Sequence, residues 1–165
     1  MDKLQSRFHE LFAYADGKLV RKVSIGSSKA GSIADYKEPN GYLRVRVDGK
    51  RYTAHQIVFC MQHGYIPKML DHINGIKDDN RIENLREADY SKNGYNTKTP
   101  KANTTGVKNV QWIKHMNKYQ VRLRSNRQNI VIGHFADLEL AELVATEARN
   151  KYHGTFANHG TGVLA

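Results

Sequence analysis

One cysteine, Cys60, is all that 165 residues contain. That excludes a disulfide framework and a zinc site built from cysteines. It falls in an apolar segment and reads as a small core residue. No apolar run approaches the roughly 20 residues of a membrane span. The opening MDKLQSRFHELFAY lacks the apolar centre of a signal peptide. These absences predict a protein of the reducing cytoplasm with no membrane partner, and no small-molecule cofactor is expected.

Another absence is local. Between Asp89 and Asp137 there is no acidic residue, yet nine bases stand there: Lys92, Lys98, Lys101, Lys108, Lys114, Lys118, Arg122, Arg124 and Arg127. Over the whole chain Lys and Arg exceed Asp and Glu by 26 − 16 = 10. A solvated surface normally mixes signs, so a long single-sign stretch is either an unusually basic face or the footprint of a polyanionic partner. Each base that neutralises a phosphate releases a counterion, which favours the second reading.

Three segments follow along the chain. Residues 11–52 read as short strands, with Asp16-Gly17 and Asp48-Gly49 as hairpin turns. Leu43, Val45 and Val47 alternate with Arg44 and Arg46, giving a half-buried sheet with a basic outer face, either a scaffold hairpin or one that touches the polyanion. From Thr53 to His63 the spacing is helical, with Ala54, Ile57, Val58 and Met61 on one face and Gly64 and Pro67 as terminators. Thr97–Gly106 is polar, holds Pro100 and lacks apolar periodicity, as a linker or loop does. Beyond it come three candidate strands (107–113, 118–124, 129–135) and a helix (137–152).

Chemistry concentrates in MLDHINGIKDDNRIENLREADYSKNGYNTK, Met69 to Lys98. Asp71-His72 ends an apolar run, a turn-rich stretch follows, and Ile82 and Leu85 leave room for a short second strand. A helix begins near Ala88 or Asp89 and passes Asn93. Hydrolysis of a phosphodiester needs a water, a base and positive charge on the phosphate. A neutral histidine can be the base, and a carboxylate with an amide oxygen suits Mg²⁺. Asp71, His72 and Asn93 are that set. Read as structure alone, the same residues are a buried histidine with turn and cap asparagines.

The spacing Asp71-His72, Asn84 and Asn93, flanked by Gly64 and Pro67, resembles the HNH (ββα-metal) nucleases of phage and intron origin. The resemblance implies that His72 is the general base, and that Asp71 and Asn93 hold Mg²⁺ or Mn²⁺. It implies that Asn84 braces the loop or orients His72, and that the products carry a 3′-hydroxyl and a 5′-phosphate. Asp78 and Asp79 read as loop caps, and His55 as a packing or phosphate-positioning residue. His63, His115, His134, His153 and His159 have no partner spacing that argues for a metal, and His9 lies in an unassigned N-terminus.

Residues 105–160 resemble the Apetala/ethylene-response-factor DNA-binding domain, on Gly106-Val107, Trp112, Lys118-Tyr119, Ile132-Gly133-His134-Phe135, an alanine-rich helix, His153-Gly154 and Phe156-Ala157. The resemblance implies a three-stranded antiparallel sheet backed by one helix and reading the major groove. In the residues themselves, Tyr119, Val121 and Leu123 alternate with Gln120, Arg122 and Arg124. Leu138, Ala141, Val144, Ala145, Ala148 and Tyr152 form a stripe able to cover the apolar side. That leaves Lys108, Gln111, Lys114, Arg122, Arg124, Asn129 and Val131 toward DNA; Trp112 is either a stacking contact or core.

The sequence thus predicts an α+β protein: N-terminal β hairpins, a ββα-metal nuclease core, then a three-stranded antiparallel sheet packed on one helix. Residues 1–98 form the nuclease domain with its N-terminal β segment, 99–105 a linker and 106–160 the DNA-binding domain. The expected function is metal-dependent cleavage of double-stranded DNA by a free-standing phage homing endonuclease, a monomer or weak dimer that nicks. The rival is a non-catalytic DNA-binding regulator that retains an HNH fold.

Overall fold

The computed structural model describes residues 3–160. The chain is mixed α and β and divides into two compact units, Met1–Ala88 and Asp89–Ala165.

In the first unit α1 (Lys3–Leu11) leads into the hairpin β1 (Phe12–Ala15) and β2 (Lys18–Arg21). A sheet of β3 (Tyr36–Lys37), β4 (Leu43–Val47) and β5 (Lys50–Thr53) follows, in the order β3-β4-β5, and then α2 (Ala54–His63). The unit ends on the antiparallel pair β6 (Leu70–His72) and β7 (Leu85–Glu87). Both Asp-Gly pairs sit at the expected turns with positive φ at each residue, 45° and 77° at Asp16-Gly17, 46° and 80° at Asp48-Gly49. Such turns match the twist of the strands they join. Gly17 is needed twice over, because a Cβ there would stand 2.9 Å from the backbone nitrogen of Arg81.

α2 begins with a capping contact: the Thr53 N–H donates to Gln56 Oε1 at 3.0 Å. It ends at Gly64, whose φ of 88° lets its N–H reach the Cys60 carbonyl. Ala54, Ile57, Val58, Cys60 and Met61 are buried with Phe8, Leu19 and Val45 in one core. Burying each large side chain contributes about 1.5–3 kcal/mol. The N-terminal helix α1, which the sequence reading left unassigned, joins that core through Phe8 and Leu11. It is held to α2 by Gln5 Nε2, which donates to the Met61 carbonyl at 3.1 Å.

The second unit opens with the short helix α3 (Tyr90–Tyr95) and continues without helix or strand to β8 (Val110–Ile113). Strands β8, β9 (Lys118–Ser125) and β10 (Gln128–Phe135) form an antiparallel sheet in the order β10-β9-β8, and α4 (Leu138–His153) packs on it. Asp137 caps α4 by accepting from the Leu140 N–H at 2.7 Å. The alternation in β9 is as expected: Val121, Leu123 and Ser125 are buried while Arg122 and Arg124 are exposed. Ala141 and Ala145 meet Val110 and Val121, small side chains that let helix and sheet approach closely. The predicted stripe fails at its end, because Tyr152 is exposed and Arg149 and His153 turn inward instead. Each inward group reaches a carbonyl. Arg149 Nη1 donates to Lys108 O at 2.7 Å, and His153 Nε2 to Arg124 O at 3.0 Å. Among the described residues no helix is long and apolar enough to cross a membrane.

Candidate active site

Asp71 and His72 are consecutive on β6 and both are buried. They face opposite sides of a strand, so each is served by a different neighbour. Cross-strand register places Arg86 of β7 opposite Asp71. Its guanidinium forks onto a single oxygen, Asp71 Oδ2, from Nε at 2.9 Å and Nη2 at 2.7 Å. His72 Nε2 lies 3.0 Å from Oδ1 of Asn80, itself fully buried. With that oxygen accepting from Nε2–H, Nδ1 is the basic nitrogen of the neutral ring.

A second imidazole closes the site. His55, the second residue of α2, meets His72 edge to face with ring centroids 5.0 Å apart, and Tyr42 stands 5.6 Å from His55. Burial, with repulsion from His72 and Arg44, pushes the His55 pKa down to about 3, so this ring is neutral at ordinary pH. Asn84 is buried in the turn before β7. Its Oδ1 accepts from the Asn74 N–H at 3.0 Å, and its Nδ2 donates to Asn74 Oδ1 and to the Asp79 carbonyl. The loop between β6 and β7 is therefore tied to itself through Asn84, while Asn80 is the partner of His72. Asp78 pairs with Lys37 at 2.6 Å, and Asp79 with Arg81 at 2.8 Å, a contact that holds the Asp79 carboxyl at about 2.

Asn93 lies on α3, exposed, in the second unit. Among the described residues no three His, Cys, Asp or Glu side chains group as a metal cluster. Mg²⁺ and Mn²⁺ accept hard oxygen donors of the kind that the Asp71 carboxylate offers.

On the second unit, register sets Asn129 opposite Arg124, Val131 opposite Arg122 and Gln111 opposite Gln120, one face of the sheet. Lys114 is exposed in the turn after β8. Among the described residues the guanidinium groups of Arg122, Arg124 and Arg127 have no hydrogen-bond or carboxylate partner. Lys108 is a correction to the sequence reading: it is buried, not on the open face. Its amine donates to the carbonyls of Tyr95, at 3.0 Å, and Thr97. Burial and the nearby Arg149 push its pKa down to about 8. Lys108 lies before β8, separated from it by Asn109 at φ 69°. Trp112 pairs with Tyr119 on the helix-covered side, ring centroids 4.6 Å apart.

Asn80, Arg86 and the contact of His55 with His72 escaped the sequence reading. Arg86 is recoverable only with the register of two three-residue strands, and Asn80 only with the path of the loop.

Residues 52–95, which contain β6, the loop, β7 and α3, match the family model described as HNH endonuclease. The chain is also 34% identical over 107 residues to Protein 3.8 of Escherichia phage T7, covering 62% of this chain and 86% of that protein. No solved structure matches it significantly. This chain therefore belongs to the family that includes phage T7 Protein 3.8, and it carries an HNH endonuclease domain.

Proposed function

We propose that the protein is a metal-dependent DNA endonuclease in which His72 is the general base and Asp71 and Asn93 hold Mg²⁺ or Mn²⁺. The supporting observation is the paired burial of Asp71 and His72 on β6, one gripped by Arg86 and the other by Asn80, inside the HNH-matching segment. Asn80 fixes the ring so that Nδ1 can take the proton of a water attacking phosphorus. Buried, neutral His55 walls one side of His72 without competing as a cation. Asn84 keeps the loop that carries Asn80 in shape. The ion, when bound, supplies positive charge to the phosphate and to the departing 3′ oxygen.

In the same reading residues 106–160 are an Apetala/ethylene-response-factor-like DNA reader joined to residues 1–98 by 99–105. Gln111, Lys114, Arg122, Arg124 and Asn129 contact DNA, and arginine is the side chain best shaped for guanine edges and phosphates. The antiparallel sheet with unpaired arginines on its open face supports this. With one HNH centre per chain, a monomer nicks, as a free-standing phage homing endonuclease would do once per encounter.

His72→Ala tests the assignment. General-base loss costs about 10²–10⁴ in rate. DNA affinity, carried by phosphate contacts elsewhere, stays near wild type. Near-normal cleavage by the variant at neutral pH removes His72 from the mechanism.

A further inference from the structure

Beside α3 the second unit has a cleft of about 460 Å³ whose lining includes Tyr90, Ser91, Tyr95, Arg124, Arg127 and His153, and no carboxylate. Its floor is firmly built. The rings of Tyr95 and His153 stack at 3.9 Å and 5°. Tyr95 Oη accepts from the Asn126 N–H at 2.9 Å, and buried Lys108 holds the Tyr95 carbonyl. The rim is cationic, with Arg124 and Arg127 exposed and unpaired among the described residues.

Arg127 supplies an independent observation. Ser125 pairs with Gln128, so Asn126-Arg127 is a two-residue hairpin turn, with φ of 48° and 66°. Glycine is the residue such a second position favours. An arginine there keeps its side chain against the preference of the backbone, and backbone outliers of this kind collect at ligand clamps.

We propose that this cleft seats one backbone phosphate of a nucleic-acid strand, clamped by Arg127 and Arg124 and bordered by the hydroxyls of Tyr90 and Ser91. Cations, hydroxyls and the lack of any carboxylate suit a phosphate diester. The exposed rim suits a continuous strand passing over it. The proposal rests on the DNA-binding part of the reading above. It adds Arg127, in the turn beyond the sheet, and assigns Arg124 of the sheet face to a backbone phosphate.

The test is duplex binding by fluorescence anisotropy between about 50 and 200 mM salt, without divalent ions so that cleavage does not intervene. The variant is Arg127→Gly, which suits the turn and keeps the hairpin folded. One lost phosphate contact lowers the slope of log K against log salt by about 0.9, and affinity about eightfold at 0.1 M salt. The loss is equal on all duplex sequences, and Arg127→Lys restores the slope. Unchanged affinity and slope in Arg127→Gly overturn the clamp, as does a loss confined to particular sequences or a wild-type protein that binds no duplex. Deoxyadenosine monophosphate is the second probe. If it binds wild type but not Arg127→Gly while duplex binding of the two is identical, the cleft serves free nucleotides and the strand assignment falls. A slope loss in a protein that cuts no DNA with added Mg²⁺ keeps the clamp and refutes the nuclease reading alone.

Discussion

Arg86→Met removes the cation that compensates Asp71 while keeping most of the apolar stem. The pair is well buried, with side-chain exposures of 16% for Arg86 and 7% for Asp71. Taking away one partner of a buried ion pair costs about 3–5 kcal/mol, because the other charge is left without compensation. Residual exposure of Arg86 puts this case near 3 kcal/mol. At a urea slope of about 2 kcal/mol per molar, the unfolding midpoint falls by about 1.5 M. Replacing both residues, Asp71→Asn with Arg86→Met, recovers most of that loss. Mg²⁺ then distinguishes ligand from strut. If Asp71 binds the ion, a hundredfold excess over Kd returns about 2.7 kcal/mol to Arg86→Met, and nothing comparable to the double variant. Urea titrations of the three proteins with and without Mg²⁺ measure every quantity. A wild-type midpoint in Arg86→Met refutes the structural reasoning, and an equal Mg²⁺ response in the double variant takes Asp71 out of the metal site.

His55 sets a pH dependence. Its folded pKa of about 3 lies below the ordinary value of 6.5, because burial, His72 and Arg44 all oppose its charging. The unfolded chain therefore binds a proton that the native state refuses. Stability present above pH 6.5 is lost as pH falls through that window, by up to about 1.4 kcal/mol per unit. Urea unfolding at about pH 7 and pH 5 reads it, and equal stability at the two contradicts the buried neutral ring. On the second unit, Arg122→Ala or Arg124→Ala lowers DNA affinity in footprinting without changing thermal stability. For Arg122 a base-edge contact costs about 1–3 kcal/mol and relaxes specificity at one position, whereas loss of the phosphate contact of Arg124 weakens all sequences and shrinks the salt slope by about one. Unchanged binding after loss of both arginines sinks the sheet reader.

Local signals were the most legible part of the sequence. The two Asp-Gly turns, the alternation in β9 and the apolar face of α2 stand where the residues place them, because each depends on neighbours a few positions away. The HNH segment was legible for the same reason, and the family model matches residues 52–95. What escaped depends on distant contacts. Leu4, Phe8 and Leu11 carry helical spacing, yet α1 is short and polar, and its burial on α2 stabilises it. Lys108 was assigned to the open face by strand pairing, but it precedes β8 and its amine reaches the carbonyls of Tyr95 and Thr97, 13 and 11 positions away. His153 and Arg149 turn inward because carbonyls of Arg124 and Lys108 await them, partners 29 and 41 positions away.

Conversion of supercoiled plasmid by metal-stripped protein, with Mg²⁺ added back, tests the central claim most directly. The account predicts no cleavage in EDTA, recovery on adding Mg²⁺ or Mn²⁺, and open circles forming before any linear product. Full activity in excess EDTA, or no activity with any divalent ion on DNA that the protein binds, contradicts it.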